Sequence, residues 1–164
     1  MNNEIDKEKI ERELIKIVQD FGTKWNIYEW DIFEKSNAEE KMPYFAQEEN
    51  RVAWLKEHTL TNWFNEFSKL LKPLFEQYCT DKKRVYGGPK VKSFGFPSKF
   101  NGIENPIECK VDVKSRTRTE VYFKTETKFS DEYLFVLLYK NSQWKIDNYK
   151  NRRYGNKRWE NQIL

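Results

Sequence analysis

What most constrains this chain is a change in hydrophobic period immediately after Cys79-Thr80-Asp81-Lys82-Lys83. Before it, apolar residues recur every three or four positions, the spacing that puts side chains on one face of an α-helix. Ile10, Leu14, Ile17, Val18, Phe21, Trp25, Tyr28 and Ile32 form the first such stripe, with Asp6 as its N-cap. Gly22 weakens its middle, so one long helix and two abutting helices are both open. The stretch Glu34 to Gln47 reads as a loop broken by Pro43. A second helical region begins near Gln47 with Val52 and Leu55. A third carries Leu60, Trp63, Phe64, Phe67, Leu70, Leu71, Leu74, Phe75 and Tyr78, with a kink expected at Pro73. His58, between the second and third, reads as a hydrogen-bonded spacer rather than a general base.

After the change, apolar residues alternate. KVKSFGFP (Lys90 to Pro97) reads as a short strand interrupted by glycine. In IECKVDVKS, Val111 and Val113 oppose Asp112 and Lys114; in TEVYFKTET, Val121, Phe123 and Thr125 oppose Tyr122 and Lys124. EYLFVLLYK is apolar on both faces, as a central strand is, and Asn141-Ser142 is a two-residue hairpin turn into QWKIDNYK. There Trp144 and Ile146 share one face while Asp147 and Tyr149 share the other. Helices followed by sequential antiparallel strands predict an α+β fold, with N-terminal helices packed on a strongly curved sheet. The expected plan is one domain over residues 1–164, with helices over about 6–79, the sheet over about 84–150 and a basic tail over 151–164.

Two cysteines and one histidine are too few for a zinc site, and no cofactor motif is present, so neither metal nor cofactor is expected. The charged N-terminus lacks the apolar core of a signal peptide, and no run approaches the ~20 apolar residues that span a bilayer. The expectation is a cytoplasmic protein with free thiols and no membrane association. Aromatic residues make up 16% of the chain, enough to build a core within a sequence that is 34% charged.

FEQYCTDKKRVYGGPKVKSFGFP, then VYFKTET, YLFVLLYKNSQWKID and the closing KRWENQIL, resemble in order the bacterial immunity proteins with a nuclear transport factor 2 fold, encoded beside polymorphic or contact-dependent toxins. The resemblance runs from about Phe75 to Leu164 and rests most on Cys79-Thr80 with Arg84 and Tyr86, Gly95-Phe96-Pro97, and Trp144-Lys145-Ile146-Asp147. It implies a cone-shaped fold and a non-enzymatic protein that blocks a cognate toxin. It implies scaffold roles for Cys79, Arg84, Tyr86, Pro97, Trp144 and Asp147. Trp144 and Ile146 are expected to seal the sheet against the third helix, and Asp147 to pair with Arg84.

Charge divides the chain. Met1 to His58 holds 14 acidic and 9 basic residues, a net of −5, and Thr59 to Leu164 holds 12 acidic and 21 basic, a net of +9. Two toxin-binding faces follow. Glu29, Asp31, Glu34, Glu39, Glu40, Glu48 and Glu49 suit the basic cleft of a nuclease; Arg116, Arg118, Lys150, Arg152, Arg153, Lys157 and Arg158 suit an acidic target. The acidic face is favoured, because a nuclease must bind phosphates. Dimerisation through the sheet stays open. One alternative is an isomerase- or cyclase-like pocket with Asp112 or Glu120 as base beside Tyr122 or Tyr133. The other is a nucleic-acid surface on YKNRRYGNKRW, against which the acidic N-terminal half argues.

Overall fold

The structure is a computed structural model that describes residues 2–41 and 60–164. Two helices and five strands are present among the described residues: α1 (Asn2–Glu40), α2 (Trp63–Tyr78), β1 (Glu108–Val113), β2 (Arg118–Lys124), β3 (Glu132–Lys140), β4 (Gln143–Arg152) and β5 (Glu160–Asn161). The second helical region expected near Gln47, together with Pro43, Glu48, Glu49 and His58, lies outside the described residues.

The first apolar stripe becomes one helix of 39 residues, beginning before Asp6 and running on through Ser36 and Asn37, where a loop was expected. Leu14, Val18, Phe21, Trp25 and Ile32 are buried along it. Gly22 does not interrupt it, because there the helix meets Ile103 so closely that a Cβ would stand 2.7 Å from the Ile103 Cδ1. The α2 helix starts at Asn62, whose side chain accepts from the Asn65 N–H, and continues through Pro73. It buries Phe67, Leu71, Leu74, Phe75 and Tyr78 against α1 and the sheet.

The strands form one antiparallel sheet in the order β1-β2-β3-β4-β5. Asn141 and Ser142 both have positive φ (51° and 62°), as a two-residue turn matched to strand twist requires. The face toward the helices carries Val121, Phe123, Tyr133, Phe135, Leu137 and Ile146, all fully or almost fully buried. Leu134 and Leu138, on the opposite face of β3, are only half-buried, so the central strand is covered fully on one side alone.

Three expectations change. KVKSFGFP is not a strand. Its end and the residues after it are held by α1 side chains instead of a ladder: Gly95 N and Lys99 N donate to Glu29, and Phe100 N donates to the Asn26 Oδ1. The sheet therefore begins at Glu108, well after residue 84. Tyr149 does not share a face with Asp147. The pairing of β3 with β4 slips at Val136/Leu137, leaving Asp147 as an unpaired extra residue between Ile146 and Asn148. This bulge resets the alternation, so Tyr149 turns into the core and stacks on Phe135 with centroids 5.4 Å apart. Finally, residues 151–164 are more than a tail: β4 extends to Arg152, β5 pairs with it, and Leu164 is buried while its carbonyl accepts from Gly88 N.

Candidate functional site

The interior of the cone is filled by aromatic rings. Phe100 lies at its centre, with Phe21, Trp25, Tyr133, Phe135 and Tyr149 at centroid distances of 5.0–6.0 Å. One carboxylate, Glu29, reaches into this region and is 6% exposed. Its Oε1 accepts from Gly95 N (3.1 Å), and its Oε2 accepts from Lys99 N (2.8 Å) and Trp25 Nε1 (3.0 Å). Burial raises its pKa, and the three donors only partly offset that. Lys99 stands over the rings of Trp25 and Tyr149, its Nζ donating to the Ile163 carbonyl, and burial lowers its pKa to about 8. Both oxygens of Glu29 are thus committed to holding residues 95–100 on α1. It is a structural carboxylate and not part of an acidic surface.

The other expected acidic residues divide. Asp31 forms an exposed pair with Lys35 (2.9 Å), and Glu34 and Glu40 are exposed. Glu39 is half-buried and accepts from Thr61 N and Trp63 Nε1, tying the end of α1 to the start of α2. The expected basic end also divides, with Arg152 and Arg153 tied up by the fold. Arg152 forms a two-pronged bond to Glu132 (2.9 and 3.1 Å) with its guanidinium 4.2 Å from the Trp159 centroid. Burial would raise the Glu132 pKa, but Arg152 and Tyr122, which also donates to it, hold it below the usual value. Arg153 bonds the buried Asp131 (2.7 Å) and lies over Phe129. Arg116 and Arg118 are exposed at the β1–β2 end, Arg118 standing 3.7 Å from Glu120; Lys157 and Arg158 are exposed, and Lys150 is half-buried.

The scaffold residues behave unevenly. Cys79 is buried and makes a parallel bridge to Ile146 as α2 ends. The Asp147 carboxylate does not pair with Arg84. It accepts from Thr80 Oγ1 (2.8 Å) and Lys82 Nζ (3.0 Å), while Arg84 donates to the Asp147 backbone carbonyl (2.9 Å), a group the bulge turns away from the ladder. Burial opposes its ionisation, and Lys82 and Thr80 outweigh burial, so its pKa is lowered. Trp144 packs on Tyr139 and lines a groove of about 400 Å³ with Ile10 and Leu14 of α1 and Val113 of β1. Tyr86 is 78% exposed, and Pro97 is exposed.

The polar set considered for catalysis is not assembled in the cone. Asp112, Glu120 and Tyr122 lie on the sheet face away from the helices, where Asp112 and Glu120 pair with Lys114 and Arg118 and Tyr122 donates to Glu132. Tyr133 faces inward and donates to the Asn101 carbonyl. Among the described residues, no group of three or more His, Cys, Asp or Glu side chains could hold a metal ion, and no helix is long and apolar enough to cross a membrane.

A different surface emerges beside Glu29. Trp30, 44% exposed, and Phe96, 69% exposed, meet edge-to-face at 5.3 Å, with Phe33 5.8 Å from Trp30 and 6.3 Å from Phe96. Ile27, 59% exposed, is one turn away on α1. Sequence reasoning missed these four. The available signal was that Ile27, Trp30 and Phe33 fall off the apolar stripe of α1, on positions a soluble helix normally gives to polar residues.

The model of the NTF2 (nuclear transport factor 2) fold immunity protein family matches residues 42–162. The chain belongs to that family. Two helices on a five-stranded antiparallel sheet agree with its fold. No curated protein and no solved structure matches the chain significantly. The family match begins after α1, so the helix supplying Ile27, Trp30 and Phe33 to this immunity-family member lies outside the matched region, while Phe96 lies within it.

Proposed function

We propose that the protein binds a cognate bacterial toxin domain and neutralises it by forming a non-covalent complex, without a catalytic step of its own. The observation that carries this reading is the match to NTF2 fold immunity proteins over residues 42–162. The interior supports it: aromatic rings occupy the cone, and the buried carboxylate there is saturated by three donors. Blocking a toxin needs a rigid surface of complementary shape and charge, on the order of 1,600 Å² in total for a stable complex. A toxin that handles phosphates, such as a nuclease, suits the acidic side of the molecule. In this reading the protein acts in the cytoplasm of the cell that also encodes the toxin, in an adjacent reading frame.

The test is co-expression. The neighbouring upstream reading frame is induced in a naive host, alone and with this protein. Restored growth together with a complex that survives gel filtration is the expected result. A harmless neighbour, or restored growth without a complex, refutes the proposal.

A further inference from the structure

The geometry points to the ridge formed by Ile27, Trp30, Phe33 and Phe96 as the anchor of the toxin interface, fitted to a cationic protein surface with an apolar socket. The inference rests on the toxin-binding reading and names the face and the chemistry of its partner.

Four observations converge. Trp30 and Phe96 are exposed yet packed on each other and on the half-buried Phe33, so their conformations are already restricted before a partner arrives. Exposed aromatics of this kind dominate binding energy in protein interfaces. The ridge is also held from below. Glu29, one residue before Trp30, binds Gly95 N and Lys99 N on either side of Phe96, and Asn26 holds Phe100 through both its N–H and its carbonyl (3.0 and 2.8 Å). A buried carboxylate and a buried amide therefore fix the loop that presents Phe96 against the helix that presents Trp30.

Charge selects the partner. The α1 helix holds 11 acidic and 6 basic residues, a net of −5, and beside the ridge Glu34 is exposed while Asp31 is paired with Lys35. Around an apolar centre, such a rim favours encounter with a positively charged surface. Arg152 and Arg153 are paired with Glu132 and Asp131, which takes these two cations out of the competing basic face. Lastly, α1 lies outside the residues that the family model matches, so Ile27, Trp30 and Phe33 are not part of the pattern the family shares. A surface that must recognise one toxin and not others belongs outside that shared pattern.

The experiment uses the full-length protein and the product of the adjacent upstream reading frame as the binding probe. Trp30→Ala and Phe96→Ala are each expected to weaken binding by about 30-fold or more, the loss typical of an aromatic hot spot. Glu34→Lys is expected to slow association several-fold at low salt while leaving dissociation nearly unchanged. Ile27→Glu, at an exposed helical position, is a second disruptive variant, and Tyr154→Ala, 71% exposed elsewhere, is the control expected to bind normally. Hydroxyl-radical footprinting should oxidise Trp30 and Phe96 in the free protein and spare them in the complex. Normal binding by folded Trp30→Ala, Phe96→Ala and Ile27→Glu, with wild type binding tightly, overturns the ridge and leaves toxin neutralisation standing. Failure of wild type to bind overturns both. Protection of Trp30 and Phe96 in the free protein overturns the ridge too, with gel filtration showing whether a second copy covers it.

Discussion

Glu29 is the position where one atom's change has the most calculable consequence. Replacing it by Gln keeps the shape and removes the charge. Two donors, Lys99 N–H and Trp25 Nε1–H, converge on Oε2, so the Gln carbonyl oxygen should take that site. Its NH₂ then faces Gly95 N–H, a donor against a donor, where 3.1 Å now separates donor from acceptor. A buried donor without a partner costs about 1–3 kcal/mol. Some of this is returned, because burial disfavours the charge that the substitution removes. The net expectation is a loss of about 1–2 kcal/mol at pH 7, read by urea unfolding with an unchanged slope. The pH dependence has a definite sign. The folded-state pKa is raised from 4.5, so the native protein binds more protons than the unfolded chain in the window above that value. Stability through Glu29 is present in full below pH 4.5 and falls as pH rises through the raised pKa. The advantage of wild type over Glu29→Gln should therefore narrow from pH 4.5 toward neutrality. Hydrogen exchange should show the Gly95 amide losing more protection than the Lys99 amide. Unaltered stability together with unaltered exchange at Gly95 would refute the claim that this carboxylate holds the loop.

Three further substitutions or measurements probe the same interior. Gly22→Ala gains about 1 kcal/mol of helix propensity but drives a methyl to 2.7 Å from buried Ile103, and overpacking of about 1–3 kcal/mol should win. A lowered melting temperature, partly restored by adding Ile103→Val, is the expected result. Lys99 has its pKa lowered from 10.5 to about 8, so the unfolded chain binds the extra proton between those values and wild-type stability should rise across that window. Lys99→Met should lack this rise when unfolding is compared at pH 7.5 and 9.5. The Cys79 thiol, pushed up to about 12 by burial, should resist a thiol reagent at pH 8 in the native protein and react promptly in urea.

The sequence by itself determined the features that near neighbours control. The change of period placed helices before strands. The stripe from Phe67 to Tyr78 defined the buried face of α2, and Asn141-Ser142 fixed the β3–β4 turn, because each depends on residues only a few positions apart. The motif order from Phe75 onward indicated the family. Tertiary structure decided what distant partners control. Glu29 reads as one more surface acid in a charged helix until Gly95 and Lys99, 66 and 70 residues away, enclose it. Arg152 and Arg153 read as free cations until the register of β3 against β4 sets Glu132 and Asp131 beside them. Tyr149 reads as outward-facing until the bulge at Asp147 shifts the alternation by one. A pleat or a helical turn is a short-range property of the chain. The neighbour that buries a charge or closes a ladder is set by packing, which brings together residues far apart in the chain.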